Sequence, residues 1–547
     1  MPVIQLYLNR LQKLVGKKSN KNKILSKIPF LGLDIEEQTN EYLRVEYSPN
    51  RPDYATDFGI ALGLQGLLGI KKGIPKLSIK KGNYTLKVNS SVKKVRPYIT
   101  SIIAKNGILD DETIRQLITL QEDLHFGIGR RRKKASIGIH DFDKIEFPIK
   151  YTTVSKNHKF IPLDSSQETS ISDILEKTNV GKQYGSILFS STLFPVILDS
   201  KENTISFPPI INSALTTITP NTSNLLIEVT ATDKNAAEDS LAVIATTLQS
   251  AGFQLYSIKI TGNNNSTPLL KPKKIMLNAD LVNNTLGLNL STTMIANALK
   301  KSRIDATAKK NKIDCIIPRY RFDIFGPMDL VEEAALGYGI ENLKPTLPPS
   351  ISVGEKNDIT KFLDAISLIM IGLGYTEVVN SSLVSNEIQN ELANRSNFDI
   401  IQVVESKSLE HTILRDAILP GLLENLSKNV HEQYPQRIFE TGIVFSKGNP
   451  IQEDYHLAAL SAHNDANFSE IKSILQSLLK IEFNIDSETK TSSHPTFSEG
   501  KTANILVNNK IVGILGEIDS KVIKNFRIRD EVKVVGYEIK LSGLIFD

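Results

Sequence analysis

The spacing of apolar positions changes period several times along the chain, and each change marks an element. TKFLDAISLIMIGLGY, residues 360–375, places Phe362, Leu363, Ile366, Ile369, Met370 and Leu373 on one helical face, with Gly372 and Gly374 at its end. DSLAVIATTLQSAG, Asp239 to Gly252, predicts a second amphipathic helix that closes at glycine. NRPDYATDFGIALGLQGLLG opens with a turn at Asn50, Pro52 and Asp53 and continues into a helix capped by Thr56 or Asp57. LNADLVNNTLG and STTMIANALKK predict two short helices, the second opened by Ser291 or Thr292, and RDAILPGLLENLSKNV predicts another. The N-terminal MPVIQLYLNRLQKLVGKK reads as an amphipathic helix. Strands are predicted at LRVEYS, ASIGIHDF, GSILFS, NTISFPPI and NLLIEVTAT, and further on at EVVNSSLV and QRIFETGIVF. Their spacing is irregular, so neither a βαβ repeat nor a solenoid is indicated.

Two proline-bearing stretches punctuate this pattern, residues 266–272 and residues 344–349. With 547 residues the chain is too long for one core. The reading is a multidomain protein of α+β, mixed α/β class, with modules at 1–88, 89–266, 267–345 and 350–547.

Composition narrows the class. Hydrophobic residues make up 40% and charged residues 23%, ordinary for a soluble globular protein. The net charge of +5 and pI near 8.8 are compatible with a nucleic-acid partner without establishing one. Cys315 is the single cysteine, which excludes a disulfide framework and a cysteine-rich zinc site and fits a reducing cytoplasm. No apolar run approaches the roughly 18–20 residues that span a membrane.

Two local clusters carry candidate chemistry. YRFDIFGPMDLVEEAALGYG, Tyr320 to Gly339, brings Asp323, Asp329, Glu332 and Glu333 into one loop and the start of one helix. Pro327 suits the first turn, and the spacing puts Asp329, Glu332 and Glu333 on a shared face. One reading is acidic complementation of the helix dipole; the other is a hard-cation site such as Mg²⁺. The second cluster is the basic run Arg130, Arg131, Arg132, Lys133 and Lys134, just after Gly127 and Gly129. Such a loop can cradle phosphate or form a solvated hairpin, and it is no P-loop, since the GK[ST] end is missing.

Several motifs then agree in order. NRPDYATDFGIALGLQGLLG, LHFGIGRRRKKASIGIHDFDKI, FPPIINSA with LLIEVTATD, YRFDIFGPMDLVEEAALGYG, and LRDAILPGLL with IFETGIVF resemble the β subunit of phenylalanyl-tRNA synthetase in its short archaeal/eukaryal form. The resemblance covers nearly the whole chain. It implies a B1-type domain, a B3/B4 editing-type domain, a winged-helix-like B5 domain and a degenerate class II synthetase-like antiparallel-sheet domain (B6/B7). It implies an α₂β₂ tetramer that joins phenylalanine to its tRNA with ATP bound by the α subunit. The β subunit would support assembly, contact tRNA and hydrolyse mischarged tyrosine.

Residue by residue, the resemblance assigns Mg²⁺, in a site shared with the α subunit, to Asp323, Asp329, Glu332 and Glu333. Editing candidates on the matching strands are Ser206, Asn212, Glu228 and Thr230; the family usually has Asp at the position of Glu228. His125 and His140 receive no role. In the last module, RIFETG places Arg437 three residues before Glu440 rather than two, and VVGYEIK has no arginine. The ATP clamps of a class II site are thus missing, and the module is expected to be structural and to hold the α subunit. The competing expectation is a free-standing tRNA-binding or trans-editing factor built from the same modules.

Overall fold

The computed structural model describes every residue except 1, 17–18, 190, 262–265, 348–352, 397–398, 407 and 546–547. The chain forms two compact units, Met1–Leu347 and Pro348–Asp547. The boundary expected between 345 and 350 falls partly outside the described residues.

In the first unit, the N-terminal segment is not one helix. Ile4 and Leu6 alternate inward on the strand Val3–Tyr7, which pairs with Tyr42–Glu46, and only Leu8–Val15 is helical. The helix after the NRPD turn is Asp57–Leu67, and Thr56 caps it through the N–H of Gly59. The predicted strand GSILFS is instead a 3-10 turn, Gly185–Leu188, that continues the helix Asn179–Tyr184; residue 190 lies outside the described residues. A short apolar run without alternation leaves that choice to its neighbours.

A ten-stranded sheet dominates the unit. Its spatial order is Ile211–Asn212, Thr204–Phe207, Phe194–Leu198, Ile149–Val154, Ile79–Val88, Gln254–Thr261, Tyr98–Lys105, Leu225–Ala231 and Ala135–Asp141, with Ser266–Thr267 added beside Gln254–Thr261. Ile79–Val88 pairs inside this sheet, so the first boundary belongs before that strand, not at 88. All seven residues of Leu225–Ala231 are buried. Leu225, Ile227, Val229 and Ala231 pack in the core that includes Leu241, Ile244 and Leu248 of the helix Lys234–Ser250, while Leu226 packs in a second core with Ile103, Ile149 and Tyr151. Strand alternation therefore sends Glu228 and Thr230 to the Leu226 face.

The three-stranded sheet Lys273–Asn278, Lys312–Ile317 and Asp305–Ala308 carries the helices Ala279–Leu286, Thr292–Lys301 and Pro327–Tyr338 around one core. This is the winged-helix-like composition expected.

The second unit is built on a seven-stranded sheet in the order Thr376–Glu377, Gln436–Ser446, Gln452–His463, Lys533–Lys540, Lys510–Ile518, Phe497–Val507 and Glu488–Thr491. Every pairing is antiparallel except the first. Asp358–Gly372 and Phe468–Phe483 share one core with the sheet, and Leu419–Lys428 and Ser520–Asn525 share another. All six residues of the predicted stripe from Phe362 to Leu373 take part in the first core. EVVNSSLV divides into Thr376–Glu377 and Leu383–Val384, which pair with different strands.

Candidate functional site

The central strand Leu225–Ala231 places Glu228 opposite Ser101 on one side and Gly138 on the other. Gly138 has a specific reason to be glycine. A Cβ there would lie 2.4 Å from both Glu228 Oε1 and His140 Nε2. The missing side chain is the space in which these two groups meet, with Nε2 and Oε1 3.8 Å apart. Both are fully inside the protein. His140 Nδ1 lies 2.9 Å from the hydroxyl of buried Thr216, which fixes the ring. His140 Nε2 and Glu228 Oε2 have no hydrogen-bond partner. Buried polar atoms left unpaired are costly, so His140 Nε2 at the space over Gly138, with a Glu228 carboxylate only partly satisfied beside it, marks a place where a polar group can be received.

Thr230, two residues along the same face, is held by Arg96. Arg96 is 1% exposed, and burial lowers its guanidinium to about 10. It binds neutral acceptors: Nε donates to the Thr230 hydroxyl at 3.0 Å, Nη2 to the carbonyls of Thr230 at 2.8 Å and Arg132 at 3.1 Å, and Nη1 to the carbonyl of Lys133 at 3.2 Å. Arg96 thus ties the basic loop to the strand that carries Glu228.

That loop is itself unusual. Arg130, Arg131 and Arg132 have φ of 48°, 52° and 65°, consecutive left-handed residues that each cost about 1–2 kcal/mol. Several contacts hold them. The Arg132 guanidinium donates to the Ile210 carbonyl at 3.0 Å and to Glu122 at 3.0 Å, and stacks on Tyr184. Arg131 lies over the exposed ring of Phe126. Lys134 is 3.3 Å from Asp233. Arg132 is therefore an internal tie, while Arg130, Arg131, Lys133 and Lys134 are exposed.

The Ser206 hydroxyl donates to the side-chain oxygen of Asn212 at 3.0 Å, across the paired strands Thr204–Phe207 and Ile211–Asn212. Residues 204–216 then meet the rest of the site through the Pro209 and Ile210 carbonyls to Arg132 and through Thr216 to His140. Among the described residues no hydrogen bond joins Ser206 or Asn212 directly to Glu228 or Thr230. Glu228, Thr230 and the basic loop thus share one neighbourhood, linked by Arg96 and His140, which the sequence gave no role; Ser206 and Asn212 connect to it only through the segment that carries Ile210 and Thr216. The one available signal was Gly138 within an apolar strand, a mark of close approach.

The acidic quartet behaves differently. Arg321 is buried and forms a two-pronged pair with Asp323 at 2.9 and 2.7 Å, and its Nη2 also pairs with Glu333. Burial acts to raise the Asp323 carboxyl, but the Arg321 guanidinium outweighs it and holds the group below the usual carboxylate range. Asp329 accepts from the N–H groups of Phe325 at 2.7 Å and Gly326 at 2.8 Å, capping its own helix. Glu332 is exposed. The helix keeps Asp329, Glu332 and Glu333 on one arc, but their carboxylates go to different partners: Asp329 to backbone N–H groups, Glu332 to solvent and Glu333 to buried Arg321. Among the described residues no group of three or more acidic, His or Cys side chains is placed to hold a metal. The four side chains therefore do not fit a self-contained Mg²⁺ site.

In the second unit, Glu440 pairs with buried Arg415 at 2.6 Å and accepts from Asn380 at 2.7 Å, and Arg437 reaches Glu470 at 3.2 Å. Glu538 of VVGYEIK accepts from the N–H groups of Ile418 at 3.1 Å and Leu419 at 3.0 Å, and sits 2.7 Å from His456. A carboxylate thus occupies the start of the helix Leu419–Lys428, the kind of position an anionic phosphate would need.

Comparison with known proteins bears on these geometries. Over 549 residues the chain is 39% identical to the phenylalanine–tRNA ligase beta subunit of Archaeoglobus fulgidus, covering 99% of this chain and 98% of that protein. It is 38% identical to the subunit of the same description from Methanocaldococcus jannaschii, covering 99% and 100%. The chain belongs to the phenylalanine–tRNA ligase β-subunit family. It is thus a component of an aminoacyl-tRNA synthetase. Family models match in the same order: the B3/4 domain over residues 82–251, the tRNA synthetase B5 domain over 275–340, and the phenylalanyl tRNA synthetase beta chain CLM domain over 343–541. A crystal structure of an N-terminal fragment of the phenylalanyl-tRNA synthetase beta-subunit from Pyrococcus horikoshii superposes with a TM-score of 0.59 at 31% identity, covering 62% of this chain and all of that one. The His140–Glu228 pair and the basic loop lie within the B3/4 match. The acidic quartet lies within the B5 match.

Proposed function

We propose that this chain assembles with a separate α subunit as an α₂β₂ tetramer, contacts phenylalanine tRNA and hydrolyses tRNA mischarged with tyrosine. ATP and the aminoacylation chemistry belong to the α subunit, and the complex works in the cytoplasm. The observation that carries the assignment of roles is the closed state of the second unit. Glu440 is engaged by Arg415, Arg437 by Glu470, and Glu538 fills the helix start. Among the described residues no arginine is left there in the pattern that would grip a nucleotide phosphate, which favours a surface for the α subunit.

Editing is supported by the space over Gly138. Glu228 can accept a hydrogen bond from a tyrosine hydroxyl, and phenylalanine would leave the carboxylate unpaired. A site built to bond a hydroxyl rejects the analogue that lacks it. Ser206, Asn212 and Thr230 shape the surroundings, and the exposed members of the basic loop meet the RNA backbone. A shared magnesium ion, expected from the resemblance, has no complete ligand set in this chain, so no step is assigned to it.

The test is aminoacylation by this chain alone and with its α partner, together with deacylation of tyrosyl-tRNA. Charging only in the mixture, by a stable α₂β₂ species, is the expected result. Hydrolysis without any complex or charging would instead favour the free-standing trans-editing factor.

A further inference from the structure

Arg303 is a buried cation that forms no salt bridge among the described residues. It is 6% exposed and follows the helix Thr292–Lys301 with φ of 64°. Its Nη1 donates to the Lys71 carbonyl at 2.6 Å, and its Nε has no hydrogen-bond partner. The carboxylate of Asp305, which acts on it through space, instead accepts from the N–H of Ile74 at 2.9 Å. The other buried arginines differ: Arg321 meets Asp323 and Glu333, Arg415 meets Glu440, and Arg96 meets four neutral acceptors. Burial alone lowers the Arg303 guanidinium below its ordinary range. A buried charge held without a direct ion pair is among the more expensive features a fold can keep.

Arg303 lines a cavity of about 590 Å³ together with Lys71, Lys72 and Lys76 on its polar side and Phe58 and Leu62 on its apolar side. The three lysines are exposed at its mouth, and no carboxylate among the described residues lines it. The side-chain oxygen of Gln65, also in this wall, has no hydrogen-bond partner. The volume is in the range of small-ligand sites. The cavity lies apart from the His140–Glu228 pair and shares no residue with the basic loop.

We propose that this cavity binds a nucleotide, with its phosphate on Arg303 and the lysines and its base against Phe58 and Leu62. Arginine suits phosphate because its planar fork stays charged and offers parallel donors. The nucleotide can be free or one unit of an RNA strand, since both present the same phosphate and ring.

The test is calorimetric titration of the full chain with adenosine monophosphate, with inorganic diphosphate and with an unstructured uridine decanucleotide. The comparison protein is the Lys71→Gln/Lys72→Gln/Lys76→Gln variant, whose altered side chains are exposed. Saturable binding of adenosine monophosphate, weakened at least tenfold in the variant at unchanged Tm, supports a free-nucleotide site. Binding of the decanucleotide alone, with the same loss, supports a unit of RNA. Arg303→Lys, which keeps the charge without the fork, is expected to weaken either ligand as well. Binding of diphosphate as tight as that of the nucleotide removes the base contact and overturns the proposal. So does the absence of binding by any probe, or binding that the lysine variant leaves unchanged. None of these readings depends on aminoacylation.

Discussion

His140 and Glu228 face each other at 3.8 Å across the bare Cα of Gly138, and each keeps one polar atom without a partner. A methyl group on Gly138 would lie 2.4 Å from both. Gly138→Ala should therefore part the pair while leaving the second unit untouched. Tyrosyl-tRNA hydrolysis by the α/β complex is expected to fall at least tenfold, with phenylalanine charging within about twofold of the parent. Hydrolysis at the parental rate would mean that the space over Gly138 takes no part in editing.

His125 sits at the base of the arginine loop and makes stability there depend on pH. Its Nε2 accepts from the N–H of Ile137 at 2.8 Å, so the neutral ring carries its proton on Nδ1, 3.1 Å from Glu122. Burial is the main cause that lowers this histidine, opposed by Glu122. The folded state thus binds the proton less readily than the unfolded one. The stabilisation is complete above the ordinary histidine range near 6.5 and is lost as pH falls below it. Glu122, itself lowered, adds a loss only further down, below the ordinary glutamate range. Denaturant midpoints between pH 7.5 and 5 should decline for the parent. The decline should be shallower in His125→Gln, whose amide can both accept and donate; parallel curves would count against this account.

How much of this could be read from the sequence depends on range. The stripe from Phe362 to Leu373 and the Thr56 and Ser291 caps were legible because they follow from spacing within a few residues. Glu228 and Thr230 entered as editing candidates only through the strands that the family resemblance matched. Their partners did not, because Arg96 and Thr230 are 134 positions apart, and His140 and Thr216 are 76 apart. The acidic quartet meets the same limit at short range. Four carboxylates close in sequence left dipole complementation and a cation site both open, and spacing did not show that Arg321, in the same motif, takes two of them. Local spacing put Glu333 beside Asp329, but not the fact that the helix Pro327–Tyr338, by burying Leu330, Val331 and Ala334, turns Glu333 inward onto Arg321.

The basic loop divides into members of two kinds, and variants should divide with it. Arg130, Arg131 and Lys133 are exposed, so replacing each with Gln should leave Tm unchanged. If each contacts a phosphate, the slope of log affinity for tRNA against log salt should become shallower by about 0.7–0.9 per residue. Arg132 holds the Ile210 carbonyl and Glu122 and stacks on Tyr184, so Arg132→Gln should lower Tm. Equal effects of all four on Tm would refute the division.

Arg96 is the strut of the same region. Replacing it with Met removes the donors to Thr230, Arg132 and Lys133 together and should cost about 3 kcal/mol, since buried acceptors lose their partners. Hydrogen exchange should rise first in residues 130–134, where the left-handed turn loses its hold. Unchanged exchange there would show that other contacts suffice.

Arg321 decides what the quartet is for. With the guanidinium present, Asp323 and Glu333 are neutralised inside the protein, and Asp329 spends an oxygen on two backbone N–H groups. Magnesium would have to displace a buried arginine from two carboxylates to recruit them, so the isolated chain should show no saturable Mg²⁺ binding by calorimetry at millimolar ion. Arg321→Leu leaves two buried carboxylates unpaired and should cost about 3–5 kcal/mol. Asp323→Asn and Glu333→Gln added to that variant should recover part of the loss, because the uncompensated charge, rather than the lost packing, is then removed. Saturable Mg²⁺ binding by the parent chain, abolished in Asp323→Asn, would reverse this reading, since it would require Arg321 to yield its partners to the ion.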